Sequence, residues 1–164
     1  MRNYTNKVVK ESITNSLLTL MKERTLDKIT IVEITSKAGV GRVSFYRNFN
    51  SKEEIILNYM KDITFNKWEE YQKNPKQNIC LWYFKMIYEM KDFLPIIYNA
   101  NCSNLLLDHI RMCCGPKDDQ SNNQAYKNSV LSCALFGFAD EWIKRGMRET
   151  PEQMAEIMKN IKLL

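Results

Sequence analysis

Turn-forming residues are scarce: 164 residues contain five glycines and four prolines. A fold of many short strands needs turn signals about every 8–12 residues, so this scarcity argues against one and favours long helices. Histidine occurs once, at His109, which excludes the HExxH pair of a metalloprotease. There is no nucleophile elbow and no glycine-rich phosphate loop, so an enzyme is not expected. No apolar run reaches the roughly 18 residues that a membrane span requires. The opening stretch, MRNYTNKVVKES, lacks the apolar core and cleavage site of a signal peptide. The five cysteines, Cys80, Cys102, Cys113, Cys114 and Cys133, are odd in number and have no framework spacing. Together these features predict reduced thiols and a cytoplasmic protein.

What the chain does contain is globular in character, with 45% apolar and 26% charged residues. Its formal net charge of +5 is unevenly placed. Residues 1–61 hold eleven Lys/Arg against six Asp/Glu, whereas residues 62–164 hold thirteen of each. A basic first third beside a neutral remainder points to an anionic partner for the first part alone, or to a solvated helix surface.

Apolar residues at Val9, Ile13, Leu17, Leu20 and Met21 trace one face of a first helix between Lys7 and Arg24. In ITIVEITSKAGV, Thr30 and Glu33 form a capping box, and Ile29 and Ile34 a hydrophobic staple around the same cap. A helix of about two turns therefore starts at Ile31, and Gly39 ends it near Lys37 or Ala38. The next helix runs from about Arg42 to Asn48. Phe45 and Phe49, four apart, face inward, which leaves Arg42, Val43, Ser44, Tyr46 and Arg47 around the outside. Ser51 and Glu54 make a second capping box that opens a long helix with Ile55, Ile56, Tyr59, Met60, Ile63 and Trp68 on its apolar side. Two short helices joined at a glycine have the geometry of a helix-turn-helix, and the helix starts at Ile31 and Lys52 aim backbone N–H groups outward, as phosphates require.

The block TIVEITSKAGVGRVSFYRNFNSKEEII resembles the DNA-binding domain of the TetR family of transcriptional regulators. The match lies at Thr30, Ala38-Gly39-Val40, Phe45-Tyr46, Phe49 and Ser51-Lys52-Glu53, within roughly residues 5–60. The resemblance implies an all-α fold: a helix-turn-helix domain over residues 1–50 and a helical ligand-binding and dimerisation domain over 51–164, linked by the helix from Ser51. It implies phosphate contacts from Thr30, Tyr46 and Lys52, base-edge contacts from Arg42, Val43 and Ser44, and either role for Arg47. An arginine there suits a guanine and a valine a thymine methyl. Gly41 stands where the family usually has Ser; it caps nearly as well but offers no side chain to a phosphate.

Beyond the long helix, Pro75 breaks the chain within NPKQN. A segment apolar almost all round follows, with Trp82, Phe84, Met86, Tyr88 and Met90 among its residues, interrupted at Pro95. Two readings are open: a plain core, or a pocket for an apolar or aromatic effector. GPKDDQSNNQ, residues 115–124, reads as a loop. Leu131, Leu135, Phe138 and Trp142 then recur at helical steps until Gly146. Thr150 and Gln153, with Pro151 at the first position, cap a last helix bearing Met154, Ile157, Met158 and Ile161. This final pair is similar to the helices through which TetR-family members form two-fold dimers; packing within the chain is the alternative.

The expected partners are thus inverted-repeat double-stranded DNA, a second copy of the chain, and an effector that is a small molecule or a protein, with repression the expected mode. His109, Cys113 and Cys114 give H-x3-C-C, in which helical spacing brings His109 and Cys113 together. Adjacent cysteines without CxxC are a weak metal signal, so neither a metal site nor a cofactor is assigned.

Overall fold

The computed structural model describes residues 2–73 and 78–161, with side chains from Asn6 onward. Among these residues the fold is all-α, with nine α-helices and no strand. They are α1 (Arg2–Met21), α2 (Ile31–Lys37), α3 (Arg42–Tyr46), α4 (Lys52–Gln72), α5 (Ile79–Glu89), α6 (Leu94–Asn99), α7 (Asn104–Cys114), α8 (Asn122–Lys144) and α9 (Pro151–Asn160). A 3₁₀ turn, Leu26–Lys28, precedes α2. The break expected at Pro75 falls outside the described residues.

The chain divides into two compact units. The first comprises Met1–Tyr59 and Pro95–Leu105, the second Met60–Leu94 and Leu106–Leu164. The division falls inside α4, and the short α6 segment joins the first unit although α5 and α7 lie mainly or wholly in the second. The amide of Leu26 donates to Ala100 O at 3.0 Å, one bond by which that segment attaches.

The first unit is built around Ile13, Leu17 and Met21 of α1, with Ile34, Phe45, Phe49, Ile55 and Ile56 buried alongside them. α2 packs on α1 and α3 packs on α2. The capping box at α2 is complete: Glu33 N donates to Thr30 Oγ1 at 3.3 Å and Thr30 N to Glu33 Oε2 at 2.8 Å. Gly39 has φ +67°, and no atom lies within 4 Å of where its Cβ would be. The glycine is therefore required by the backbone conformation that stops α2, not by crowding. The second capping box differs from expectation. Glu54 N donates to Ser51 Oγ at 3.1 Å, but the Glu54 carboxylate reaches one residue further back, accepting from Asn50 N at 2.6 Å and Asn50 Nδ2 at 2.9 Å. Ser51 thus caps one way only, and Asn50 and Glu54 secure the entry to α4.

The second unit buries Tyr83, Phe84, Met86 and Ile87 of α5 and Met90 just beyond it, together with Ala139, Trp142 and Ile143 of α8 and Met154 and Ala155 of α9. α5 and α9 pack against one another. Asn78 caps α5 by accepting from Cys80 N at 2.9 Å. α9 carries the expected box, with Gln153 N on Thr150 Oγ1 at 3.2 Å and Thr150 N on Gln153 Oε1 at 2.8 Å. Tyr83 donates its hydroxyl to Leu135 O at 2.8 Å, tying α5 to α8. His109 is enclosed, and that burial pushes its pKa down to about 4, so the ring is neutral at neutral pH.

Candidate nucleic-acid interface

Helix α3 is only five residues long, too short to persist alone, so its neighbours must hold it. Phe45 supplies the grip. Its ring is fully enclosed, 6.1 Å from that of Phe49 and 5.4 Å, edge-on, from that of Tyr46. Phe45 points inward, so the residues around it face out. Val43 is 64% exposed and Tyr46 54% exposed, and Arg42 and Arg47 are exposed beside them. Ser44 is half-buried, and its carbonyl accepts from Asn48 Nδ2 at 2.7 Å. Gly41 caps α3 without a side-chain bond, as a glycine must.

An exposed valine and tyrosine between two arginines form a surface whose apolar groups stay in contact with water and gain no burial inside the chain. Cations that find phosphates, an arginine fork for a guanine edge and a methyl-sized apolar contact are what duplex DNA rewards.

The two remaining residues of the expected interface are held more tightly. Lys52 Nζ donates to Leu26 O at 2.6 Å and to Ile29 O at 2.7 Å, closing the 3₁₀ turn against the start of α4. Two of its three N–H groups are thereby engaged, leaving one for a phosphate. The Thr30 hydroxyl donates to Glu33 Oε2 at 2.8 Å, so it reaches a phosphate as a donor only by leaving that carboxylate.

Arg24 and Val32 lie outside the set of residues expected from the sequence. Arg24 Nη1 meets Glu33 Oε1 at 2.7 Å, linking the segment after α1 to the cap of α2. Val32 is exposed on α2, an apolar side chain in the helix-turn-helix that the core does not use. Its position one residue past the helix start, off the Ile29–Ile34 staple, was the available signal.

The same carboxylate gives a pH signature. The backbone N–H of Thr30, then Arg24 and the Thr30 hydroxyl, all bond the ionised form of Glu33 and push its pKa from 4.5 to about 2. A lowered carboxylate pKa stabilises the fold fully above the unfolded value and loses that contribution as the pH falls through the folded one. The window runs from about 4.5 down to about 2. Glu33→Gln preserves the cap but not the charge, and is expected to flatten the acid limb of urea-unfolding midpoints measured across that window. An unchanged limb would remove Glu33 from acid stability.

Residues 13–59 match the family described as bacterial regulatory proteins, tetR family. Residues 74–162, more than half of the chain, match the transcriptional regulator C-terminal region of that group. The chain belongs to the TetR family. It is accordingly a DNA-binding transcriptional regulator, built on a fold that is not enzymatic in this family. The crystal structure of Lin0861 from Listeria innocua is similar with a TM-score of 0.74 at 16% identity, covering 95% of this chain and 90% of that one. At that identity the likeness speaks for the fold alone. A comparison with curated proteins gives no match. No helix among the described residues is long and apolar enough to cross a membrane.

The other residues singled out from the TetR-like sequence are divided by the fold. Phe84 is enclosed among Tyr83, Phe138 and Trp142, and Met86 and Met90 are buried. Tyr88 is exposed at its edge and stacks on Trp142. Trp82 lies elsewhere, in contact with Trp68 and Tyr71, and donates Nε1–H to Lys67 O at 3.0 Å. The five therefore do not line one surface. Of the residues considered for pairing, Trp142 and Met154 are enclosed within this chain, Leu135, Phe138 and Met158 are half-buried, and Leu131, Ile157 and Ile161 are exposed. For Trp142 and Met154 the alternative of packing within the chain applies. Their stripe is covered by α5, which a helical period alone does not reveal.

Proposed function

We propose that the chain is a repressor of the TetR type that binds an inverted-repeat operator as a homodimer and is controlled by an effector in its second unit. The observation that carries this reading is the outward face of α3, where Arg42, Val43, Tyr46 and Arg47 surround the enclosed Phe45. Arg42, Val43 and Ser44 read base edges; Tyr46, Lys52 and Thr30 hold phosphates; Arg47 serves either end. Residues 1–50 form the reading head and residues 51–164 the effector and pairing part.

A single five-residue helix makes few contacts, and pairing supplies the rest. Two copies related by a two-fold axis occupy half-sites about 34–36 Å apart. The pairing surface is offered by α8 and α9, where Tyr126 is 71% and Val130 65% exposed, with Leu131, Ile157 and Ile161 also exposed. The effector contact is assigned to the segment from Trp82 to Met90, where the partly exposed rings of Trp82 and Tyr88 are the accessible groups. Phe84, Met86 and Met90, buried in this state, become contacts only if the effector opens the packing around them.

A second reading has its own support. Phe65, Trp68 and Ile79 are exposed large apolar residues in the second unit, which favours a protein partner as the effector.

Selection of duplex DNA from a random pool tests the central claim. An inverted repeat is the expected product; a lone half-site would sink the homodimer, and no enrichment would sink sequence reading. On the selected site, Arg42→Ala is expected to lose about 1–3 kcal/mol and relax one base position. Tyr46→Phe should instead weaken all sequences evenly. Addition of the protein to an in vitro transcription reaction carrying that site then reads the sign of regulation.

A further inference from the structure

Helix α8 carries a stripe that the core does not use. Tyr126, Val130, Cys133 and Gly137 follow at steps of four, three and four, which holds them on one narrow face of a helix with 3.6 residues per turn. All four are exposed. The buried residues Ser132, Ala139 and Trp142 lie toward the opposite side. Gly137 is the anomaly in the stripe. A glycine inside a helix weakens it relative to alanine. The φ of Gly137 is not positive, and no atom lies within 4 Å of where its Cβ would be. Neither backbone conformation nor crowding within the chain accounts for it, whereas the close approach of another helix does.

We propose that α8 pairs antiparallel with α8 of a second copy, with Val130 seated in the notch at the partner's Gly137 and the two Cys133 thiols beside the two-fold axis. This rests on the homodimer reading and adds the register of the pair. The register follows from symmetry. A two-fold contact is reciprocal, so Val130 on the partner's Gly137 requires the reverse contact as well. The axis then passes midway between positions 130 and 137, at Cys133 and Ala134. With Cα atoms about 2.3 Å from each helix axis and the axes about 8–10 Å apart, the two Cys133 Cα atoms stand roughly 4–6 Å apart, within the span of a disulfide.

The opposite orientation fits worse. A parallel two-fold pair sets each residue against its own copy, which faces one Gly137 notch with another and leaves both unfilled. It also sets Lys127 against Lys127. The first half of α8, Asn122–Cys133, has Lys127 as its one charged residue. The second half carries the carboxylates Asp140 and Glu141, each paired with a cation one turn further on. In the antiparallel register Tyr126 and Lys127 lie beside the partner's Glu141, so unlike charges meet at both ends of the contact.

The test uses the reduced full-length chain and the two-electron thiol oxidant diamide. Each Cys133 thiol gives up one hydrogen, the sulfurs join, and diamide takes both hydrogens to become a hydrazine. A covalent dimer is expected on gels without reductant, reverting to single chains with dithiothreitol. Cys133→Ser should abolish it, and Cys113→Ser, which removes another exposed thiol, should not. Gly137→Leu fills the notch but meets open space in its own chain. It is expected to raise the dimer dissociation constant in sedimentation at least about tenfold, with the helix content in far-UV circular dichroism undiminished. Lys127→Glu should also weaken pairing, and adding Glu141→Lys should restore it. A wild-type dimer that does not link through Cys133, or an undiminished dimer in Gly137→Leu, would overturn the register and leave the homodimer standing. A monomeric wild-type chain would overturn both.

Discussion

Phe45→Ala is expected to abolish operator binding at salt concentrations where the wild-type chain binds, and to lower folding stability by about 3–5 kcal/mol. The residue never touches DNA in the proposed arrangement. Its ring is fully enclosed, against Phe49 on one side and the edge of Tyr46 on the other. Truncation removes the transfer energy of the ring and leaves a cavity in the small core of the first unit. A helix of five residues cannot keep its conformation without that packing, because nucleation is unfavourable and few hydrogen bonds follow it. Arg42, Val43, Tyr46 and Arg47 then lose their fixed relative positions, and preorganised binding is lost with them. Phe45→Leu should recover most of the affinity. Val43→Ala, at a mainly exposed position, should leave stability within about 0.5 kcal/mol. Urea-unfolding midpoints and affinity for the selected site, measured on the same samples, check both halves. Full affinity in Phe45→Ala would show that α3 is held by something else.

The second large effect is expected at Trp142. This side chain is 2% exposed, stacks on Tyr88 at 6.1 Å and meets Phe84 edge-on at 5.7 Å. Its Nε1–H donates to Glu149 O at 3.2 Å, fastening the turn between α8 and α9. Trp142→Ala is expected to cost about 3–5 kcal/mol, from the lost ring and the cavity behind it. Trp142→Phe keeps an aromatic body but drops the N–H, so it should cost less, with about 1 kcal/mol attributable to the hydrogen bond. The predicted order of midpoints is wild type, then phenylalanine, then alanine. Near-ultraviolet circular dichroism should fall in the same order, because Tyr88 and Phe84 lose their fixed neighbour. If Trp142→Ala instead left the midpoint unchanged and affected only self-association, Trp142 would belong to the pairing surface after all.

The helix starts and stops were legible because their causes are local. Thr30 with Glu33, and Thr150 with Gln153, close their boxes within three residues, and Gly39 ends α2 through its own φ. The inward turn of Phe45 and Phe49 follows from a spacing of four. The candidate interface was legible for the same reason: once those two rings face in, the residues between them face out. Asn50 shows the limit of such reading, since it took the Glu54 carboxylate that the S-x-x-E pattern assigns to Ser51.

What the sequence by itself determined is the helices α1 to α4, α8 and α9, the caps of α2 and α9, the basic first third and the face of α3. Helix α6, which contains the Pro95 read as a break, and α7 emerged only in the structure. Only the tertiary structure decided which partners distant residues find. Lys52 closes on carbonyls 26 and 23 residues away, Ser12 on Ala38 across 26, Thr64 on His109 across 45 and Tyr83 on Leu135 across 52. It also decided which stripe of α8 is covered. That helix carries Leu131, Leu135, Phe138 and Trp142 on one side and Tyr126 and Val130 on another, so more than one apolar face competes for the core. Periodicity measures how apolar residues are arranged around a helix. It does not say which neighbour arrives to cover them, because that depends on side chains far along the chain and on the volume they fill together.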